Sequence, residues 1–597
     1  MNSNWATNDE QSVLGNSPSK SIVFIDSGLD DYQTLADGVH PGTEIIILDK
    51  NGNGVEQITT KLQTIAAAGG TVDQVHIFSH GNSGSLQLGS ATLNSDNLPE
   101  YESLLQGWRN ALSDQADIVL YGCDVAAGSG SDFVDRLGEL TGADIAASSD
   151  RTGHGGNWNL EFATGDVEAP LALTPEAMAN YGGTLRTITV TNTKDSGAGS
   201  LRDAIASAAA GDTINFSSSI GNPKITLTSG QLVIRKDVTI DGGNRKITIS
   251  GNNSSRVIRL ENFTNATLKN LIVANGRVFG GEQYSETTNS GAGIQTGNSS
   301  TLTLENCEVN NNVAGFGGGI YAGFRGTTIV LNSKFSGNDG SLTDGTERGA
   351  GAIGTKSGGS LTIRGSQFTN NKGSYGAAVN NLLGSLTIED SKFIGNVAVK
   401  GVGGAVYVDG ANSSGPNSGP GPVGGNVVIR NSLFDGNIAE NEGGAAFLFG
   451  YPPDQMLLEN STFINNKAIK NARGTGGSGG AVRQGNADLT VINSTFANNS
   501  GTDNGGAMWL GERGNVNIYN STFSGNKSGY VGGALLVDRR DSFSTNIVNS
   551  TFANNTAAAY SGGIGVFKNP VNSPITVTSS IFDSNTANNP YKTRQQT

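Results

Sequence analysis

The sequence predicts a two-part fold: an α/β head with a mostly parallel sheet and flanking helices, then an all-β stalk of stacked coils, a parallel β-helix. Three observations predict it. Charge divides the chain: residues 1–184 hold 6 Lys and Arg against 25 Asp and Glu, a formal −19, whereas the remainder is near neutral at +5. Apolar periodicity alternates between strand and helix only in the acidic part. Beyond it, one sequence unit recurs to the end, and such a period marks stacked structural units. The boundaries this implies are 1–20 for a flexible N-terminus, 21–183 for the head, 184–220 for a linker and cap, and 221–597 for the coils.

In the head, Ser21–Asp26 reads as a buried strand, Leu29–Val39 as helix, Glu44–Leu48 as strand and Val55–Ala68 as amphipathic helix. Val72–His80, Asp117–Tyr121 and Asp144–Ser149 read as further strands, and Leu98–Leu112 and Ser131–Leu140 as helices. Alternation of this kind gives a parallel sheet covered on both faces, and such sheets bind ligands beyond the carboxyl ends of their strands. Two strand ends carry chemistry there: V-H-I-F-S-H-G, reaching His80 and Gly81, and D-I-V-L-Y-G-C-D, reaching Cys123 and Asp124. A thiol becomes a nucleophile beside a base, and a following helix would lower its pKa. The backbone N–H groups of Gly81 and Cys123 are the candidate oxyanion donors. Asp26 and Asp124 either line the pocket or cap local turns, and for Asp124 a helix N-cap is the simpler role. His76 shares a face with His80 and reads as a packed strand histidine; His154, in R-T-G-H-G-G, reads as a loop residue. No third ligand stands at zinc spacing, so no metal site is expected.

These residues resemble the caspase/gingipain-like group of cysteine peptidases, in which one apolar strand ends in His-Gly and a later one in the catalytic Cys. More narrowly, the blocks VFIDSGLDDYQTL, HIFSHGNSGSLQLG, DIVLYGCDVAAG and GGNWNLE are similar to a bacterial domain of unknown function, DUF4347, found at the front of large surface proteins. The resemblance implies a caspase-like head with His80 as general base and Cys123 as nucleophile. The Q-A-C-x-G block of the caspases is absent, so their Asp specificity is not implied.

The stalk opens with GSLRDAI, which resembles the "CSLREA"-type start of bacterial β-helices with Gly199 in the Cys position; Ser200–Ala209 is predicted to be a capping helix. Ile225–Leu227, Leu232–Ile234 and Val238–Ile240 look like the first coils of a right-handed, pectate-lyase-type β-helix. The repeat then reads (L/V)-x-(I/L)-x-(N/D/G)-S-x-F-x-x-N, with a later Gly-Gly pair, similar to polymorphic outer-membrane passengers. Its Phe column is Phe335, Phe368, Phe393, Phe434, Phe463, Phe496, Phe523, Phe552 and Phe582, each with Asn three residues on. Phe should stack on Phe, Asn should form an internal ladder, and Gly-Gly should permit a tight corner. Cys307 falls near the Phe column as core filler. Asp409, Asp435, Glu440 and Glu442 are the nearest thing to an acidic cluster, and the stalk has no His.

Composition bounds the function. The acidic head argues against nucleic acid, and no apolar run predicts membrane insertion. Two cysteines exclude a disulfide framework. No motif requires a cofactor; calcium is compatible with the scattered acids, but no G-G-x-G-x-D array asks for it. MNSNWATNDEQSVLGNSPSK is not a Sec-type signal peptide, yet the stalk predicts an extracellular or cell-surface location. The chain stops soon after Asn585 without another Gly-Gly strand, which predicts truncation, processing or end-to-end assembly. The leading reading is an adhesin-like or structural protein whose head performs thiol-dependent processing. The alternatives are a cysteine endopeptidase with the stalk as spacer, and a polysaccharide-binding or -cleaving β-helix. Expected partners are further copies of the chain or surface and matrix components, polysaccharide among them.

Overall fold

A computed structural model describes residues 20–588, apart from residues 30, 154–155, 184–186, 222, 279–287, 343–348, 414–422, 540–542 and 568–573. The N-terminal segment 1–19 and His154, both addressed above, lie outside the described residues. Two compact units emerge, one comprising residues 1–188 and 210–213, the other 189–209 and 214–597.

The head is built on six strands in the order β2-β1-β3-β7-β8-β9, namely β1 Ser21–Asp26, β2 Glu44–Leu48, β3 Val72–Phe78, β7 Leu112–Tyr121, β8 Asp144–Ala147 and β9 Phe162–Ala163. All pair in parallel except β9. On one face lie α2 (Gly54–Ala67), α3 (Leu98–Trp108) and α4 (Gly130–Thr141), burying Ile58, Leu62, Leu105, Trp108, Phe133 and Leu137. The other face holds α1 (Tyr32–Asp37) and α5 (Pro175–Asn180), with Leu35, Leu173 and Tyr181 in its core. Helix α1 is shorter than the pattern suggested. Helix α3 stops at Trp108 because Leu112 already belongs to β7. Between β3 and α3 lies a small antiparallel sheet that the sequence reading missed: β4 His80–Asn82, β5 Ser85–Leu88 and β6 Ala91–Asn94.

The second unit is a solenoid of parallel sheets of fourteen, thirteen, twelve and eight strands among the described residues. Its opening helix α6 spans Leu201–Ser207, with Ser200 accepting from the Asp203 amide as N-cap. Arg202 of the GSLRDAI motif donates to the Asp195 carboxylate at 2.7 Å and to the carbonyls of Gly230 and Gln231 at 2.8 Å. Burial alone would raise the Asp195 carboxyl, but Arg202 and the Ser229 hydroxyl and amide hold it well below the usual carboxylate range.

Three columns bind each later coil to the next. The nine Phe rings stack in parallel, with centroids 4.7–4.9 Å apart and planes within 2–7°. The Asn ladder begins one coil earlier than the Phe column, at Asn312. Each side-chain amide donates to the next Asn Oδ1 at 2.8–3.0 Å. In Asn371, Oδ1 accepts from the Asn338 N–H and Nδ2, while Nδ2 donates to the Phe335 carbonyl and Asn396 Oδ1. Two donors and two acceptor sites are thereby all used, as a buried amide requires. The Ser of the motif forms a third ladder: each Ser N–H donates to the next Ser Oγ at 3.0–3.2 Å. Cys307 stands in this Ser column, its N–H donating to Ser333 Oγ at 3.0 Å, and not in the Phe column, where Val309 pairs with Phe335. It is buried, as expected of filler, and burial pushes its thiol up to about 11.

The N/D/G before Ser and the residue two after Phe are both left-handed, with φ of 48–58° from Asn332 to Ser579 and 51–64° from Gly337 to Ser584. That conformation selects Asn, Asp and Gly. The Gly-Gly pairs do two separate jobs. The first glycine is left-handed, as at Gly479 (φ 67°). The second faces the coil above: a Cβ on Gly480 would lie 2.0 Å from the Gly506 carbonyl oxygen. The pair at Gly562-Gly563 is shifted by one position, since Ser561 (φ 58°) takes the left-handed place.

Two predictions follow from these contacts. Gly480→Ala should open the stacking of its coil and expose the neighbouring strands to hydrogen exchange. Gly436→Ala, at a left-handed position with nothing within 4 Å of the added methyl, should cost only about 1–2 kcal/mol. Because the Asp195 carboxyl is depressed, its contribution to stability is full above the unfolded carboxylate pKa and disappears as pH falls below it. Relative to the intrinsic exchange rate at each pH, amides of residues 195–202 and 228–231 should therefore be less protected at about pH 3 than at pH 6, and Asp195→Asn should abolish the difference.

Candidate functional site

The parallel register places three polar residues at one edge of the sheet. Ile25 of β1 pairs with Phe78 of β3, which pairs with Tyr121 of β7. Asp26, His80 and Cys123 each follow this row by one or two residues, so three adjacent strands bring a carboxyl, an imidazole and a thiol to the same carboxyl end of the sheet. Beneath them Phe78 and Tyr121 stack at 4.0 Å, closing the core.

The approach of the two expected blocks is close at the backbone. A Cβ on Gly81 would lie 2.8 Å from the Cys123 carbonyl oxygen and 2.6 Å from Val125 Cγ2; one on Gly122 would lie 3.1 Å from Gly81 Cα. The space that glycine opens at Gly81 is thus taken by the neighbouring strand end and is not left for a substrate. Gly81 itself lies in β4, where its register partner is Leu86.

Cys123 is fully buried. Its sulfur accepts the Thr152 N–H at 3.0 Å and its S–H donates to the Thr152 carbonyl at 3.2 Å. The same strap is zipped to the following turn, with Asp124 N–H on the Asp150 carbonyl at 2.7 Å and Ala126 N–H on the Ser148 carbonyl at 2.9 Å. Asp124 is left-handed (φ 59°) and caps no helix. Helix α4 begins at Gly130, with Ser129 as its N-cap, seven positions after the thiol and one before the predicted start at Ser131.

Asp26 does more than cap a turn. It is buried and accepts the amides of Gly28 at 2.7 Å and Gly89 at 2.6 Å, tying β1 to the hairpin that begins at His80. Burial pushes its carboxyl above the usual range, opposed by those two amides and by the charge of His80. His80 itself is 8 % exposed. The signal for Asp26 lay in the sequence, as the terminal residue of SIVFID beside the strand that leads to His80. Nothing there pointed to Thr152, 29 positions after the Cys123 that it contacts.

His76 is a packed histidine. It is 1 % exposed, its Nδ1 lies 3.3 Å from the Tyr121 hydroxyl, and burial lowers its pKa to about 4. Among the described residues no group of three His, Cys, Asp or Glu could hold a metal ion, and no helix is long and apolar enough to cross a membrane.

Two family models match this chain. Residues 22–185 match the Domain of unknown function (DUF4347), and residues 236–418 match the Right handed beta helix region. No curated protein matches it. The DUF4347 match spans every strand of the head described above, including the ends that carry Asp26, His80 and Cys123. The right-handed β-helix match ends at residue 418, but the Phe, Asn and Ser ladders carry the same geometry on to Phe582 and Asn585.

The acids of the stalk do not form one site. Asp409 accepts from the Tyr451 hydroxyl at 2.8 Å, Asp435 from Asn465 Nδ2 at 2.9 Å, and Glu440 from the Lys400 amide at 3.0 Å, whereas Glu442 faces Arg483 at 3.4 Å.

His76 yields a pH prediction. Its folded pKa is depressed, so its stabilising contribution is present above about pH 6.5 and is lost as pH falls towards about 4. His76→Phe should therefore flatten the head's loss of stability across that window, by about 3 kcal/mol at its acid end, read from chemical denaturation at stepped pH.

Proposed function

We propose that this chain is an extracellular or cell-surface protein whose β-helix is an adhesin-like, structural stalk and whose DUF4347 head performs thiol-dependent processing of its own chain or a neighbouring copy. The observation that carries the head's role is the convergence of Asp26, His80 and Cys123 at the carboxyl ends of three adjacent parallel strands, where sheets of this kind place their chemistry. In that chemistry the Cys123 proton passes to His80, and the sulfur attacks a peptide carbonyl. His80 then returns the proton to the leaving amine, and water releases the acyl group from sulfur. Asp26 holds His80 in place through its charge. The Thr152 contacts describe a closed form: both polar faces of the thiol are occupied, so Ser148–Thr152 must yield before a substrate carbonyl reaches the sulfur.

The stalk's role rests on its construction. Saturated internal ladders leave the outer faces of the coils free to vary, and a regular scaffold with a variable surface suits repeated attachment to surface or matrix material.

The head is tested by intact-mass measurement of the full chain over time, with and without calcium, beside Cys123→Ala. A Cys307→Ser background is the natural control, because serine is the residue the other coils use in that column. Cleavage, or thiol-probe labelling, that disappears with Cys123→Ala is the expected result. A constant mass together with a Cys123 as slow to label as a buried thiol would remove the processing role and leave the stalk's attachment as the function.

A further inference from the structure

On the outer face of the twelve-stranded sheet, two columns of side chains run across successive coils. Register aligns Tyr407, Phe447, Arg483, Trp509 and Leu536 in one, and Asp409, Phe449, Gly485, Gly511 and Asp538 in the other. Inward-facing Val482, Gln484, Met508 and Leu510 alternate with them and are fully buried. The two glycines leave a gap in the second column, and the first column leans into it. A Cβ on Gly485 would lie 1.7 Å from Arg483 Nη1, and one on Gly511 would lie 3.6 Å from Trp509 Nε1.

Arg483 is 4 % exposed, with its guanidinium carbon 5.0 Å from the Phe447 ring centre and 4.9 Å from that of Trp509. Nη2 donates to Glu512 at 3.0 Å, and Nε faces Glu442 at 3.4 Å without hydrogen-bond geometry. Glu512 reaches Arg483 from a left-handed backbone (φ 61°), a conformation that disfavours its side chain. Yet Arg483 Nε and Nη1 and the Trp509 indole N–H, all buried, have no hydrogen-bond acceptor. Buried donors left in this state are costly. A purely structural pillar has no need of them, as the next coil shows by placing Leu536 in the same column.

We propose that this patch, centred on Arg483 and Trp509, is a binding site for a neutral saccharide chain. The missing partners are oxygen acceptors. One cation stands between two carboxylates, so the site as a whole disfavours an anion. A sugar hydroxyl accepts from Arg483 Nη1 or the Trp509 N–H through its oxygen and donates its hydrogen to Glu442 or Glu512. Phe449 and half-exposed Trp509 supply the apolar ring surface on which a pyranose C–H face packs. Both donors lie beneath the rim of the patch, and Trp509 turns to admit the ligand. The inference rests on the reading of the stalk as an attachment surface and names the chemistry of what it attaches; it is independent of the head.

Trp509 is the only tryptophan after residue 158, so an emission change that disappears with Trp509→Ala reports the site. Full-length chain is titrated with cellohexaose, laminarihexaose, mannohexaose and xylohexaose, with hexagalacturonate as the acidic comparator, by fluorescence and calorimetry. At least one neutral hexaose should bind saturably and shift the emission. Trp509→Ala should weaken calorimetric binding at least about tenfold, and Glu512→Gln, which keeps an acceptor for Arg483 Nη2 but loses the carboxylate, should also weaken it. Binding of no neutral hexaose, of the acidic one alone, or with affinity unchanged by Trp509→Ala would overturn the site. Co-sedimentation with intact bacterial cells separates the two readings. Attachment to cells without hexaose binding removes the saccharide site and keeps the attaching stalk; attachment to neither removes both.

Discussion

One side-chain amide per coil sets the register of the stalk. Burial of each Phe contributes more stability, about 1.5–3 kcal/mol against about 1 kcal/mol for a typical hydrogen bond. A ring stack, however, tolerates small slips, and an Asn ladder does not. Every Asn from Asn338 to Asn555 uses all its donors and acceptors on fixed partners in the coils before and after it, as Asn371 does. Displacing one coil by a single residue would strand a buried amide on each side. The Ser ladder, two residues before Phe, repeats the constraint on the opposite flank of the same strand. The Phe column is thus pinned from both ends, and the loops between coils are relieved of any part in alignment.

This division explains why spacings between Phe residues vary from 25 to 41 while the stack stays within 4.7–4.9 Å. It also explains which parts of the stalk were legible in the sequence. The F-x-x-N phrase carries two of the three ladders directly. The third was written in the same phrase, as Ser two places before Phe, and passed for part of the motif because serine is common in turns. Only the Cys307–Ser333 hydrogen bond shows that cysteine to be a serine-column residue. The Gly-Gly pairs looked like one corner requirement. They are two, because backbone handedness is local, whereas the contact with the coil above belongs to a residue 26 to 40 positions on.

The head shows the opposite balance. Its strands were legible as apolar runs, and the ends of SIVFID, VHIFSHG and DIVLYGCD come together at one carboxyl end of the sheet. What covers that side was not legible, because it comes from a strap, Ser148–Thr152, with no periodicity of its own. The thiol is held by backbone atoms, and backbone atoms leave no signature in a sequence. The same holds for the Arg483 patch. Arg483, Trp509 and Glu512 stand in separate repeats, and only the stacking of coils gathers them around the gap above Gly485 and Gly511.

The ladders have a consequence at the level of the gene. Since every coil presents the same three contacts upward and downward, a whole coil removed or duplicated leaves its former neighbours equally well paired. A rearrangement that adds or drops one whole coil would therefore preserve the ladder contacts on both sides of the junction. Stalk length is therefore a trait that selection adjusts in discrete steps, separately from the chemistry of the head and from the side chains displayed on any single coil.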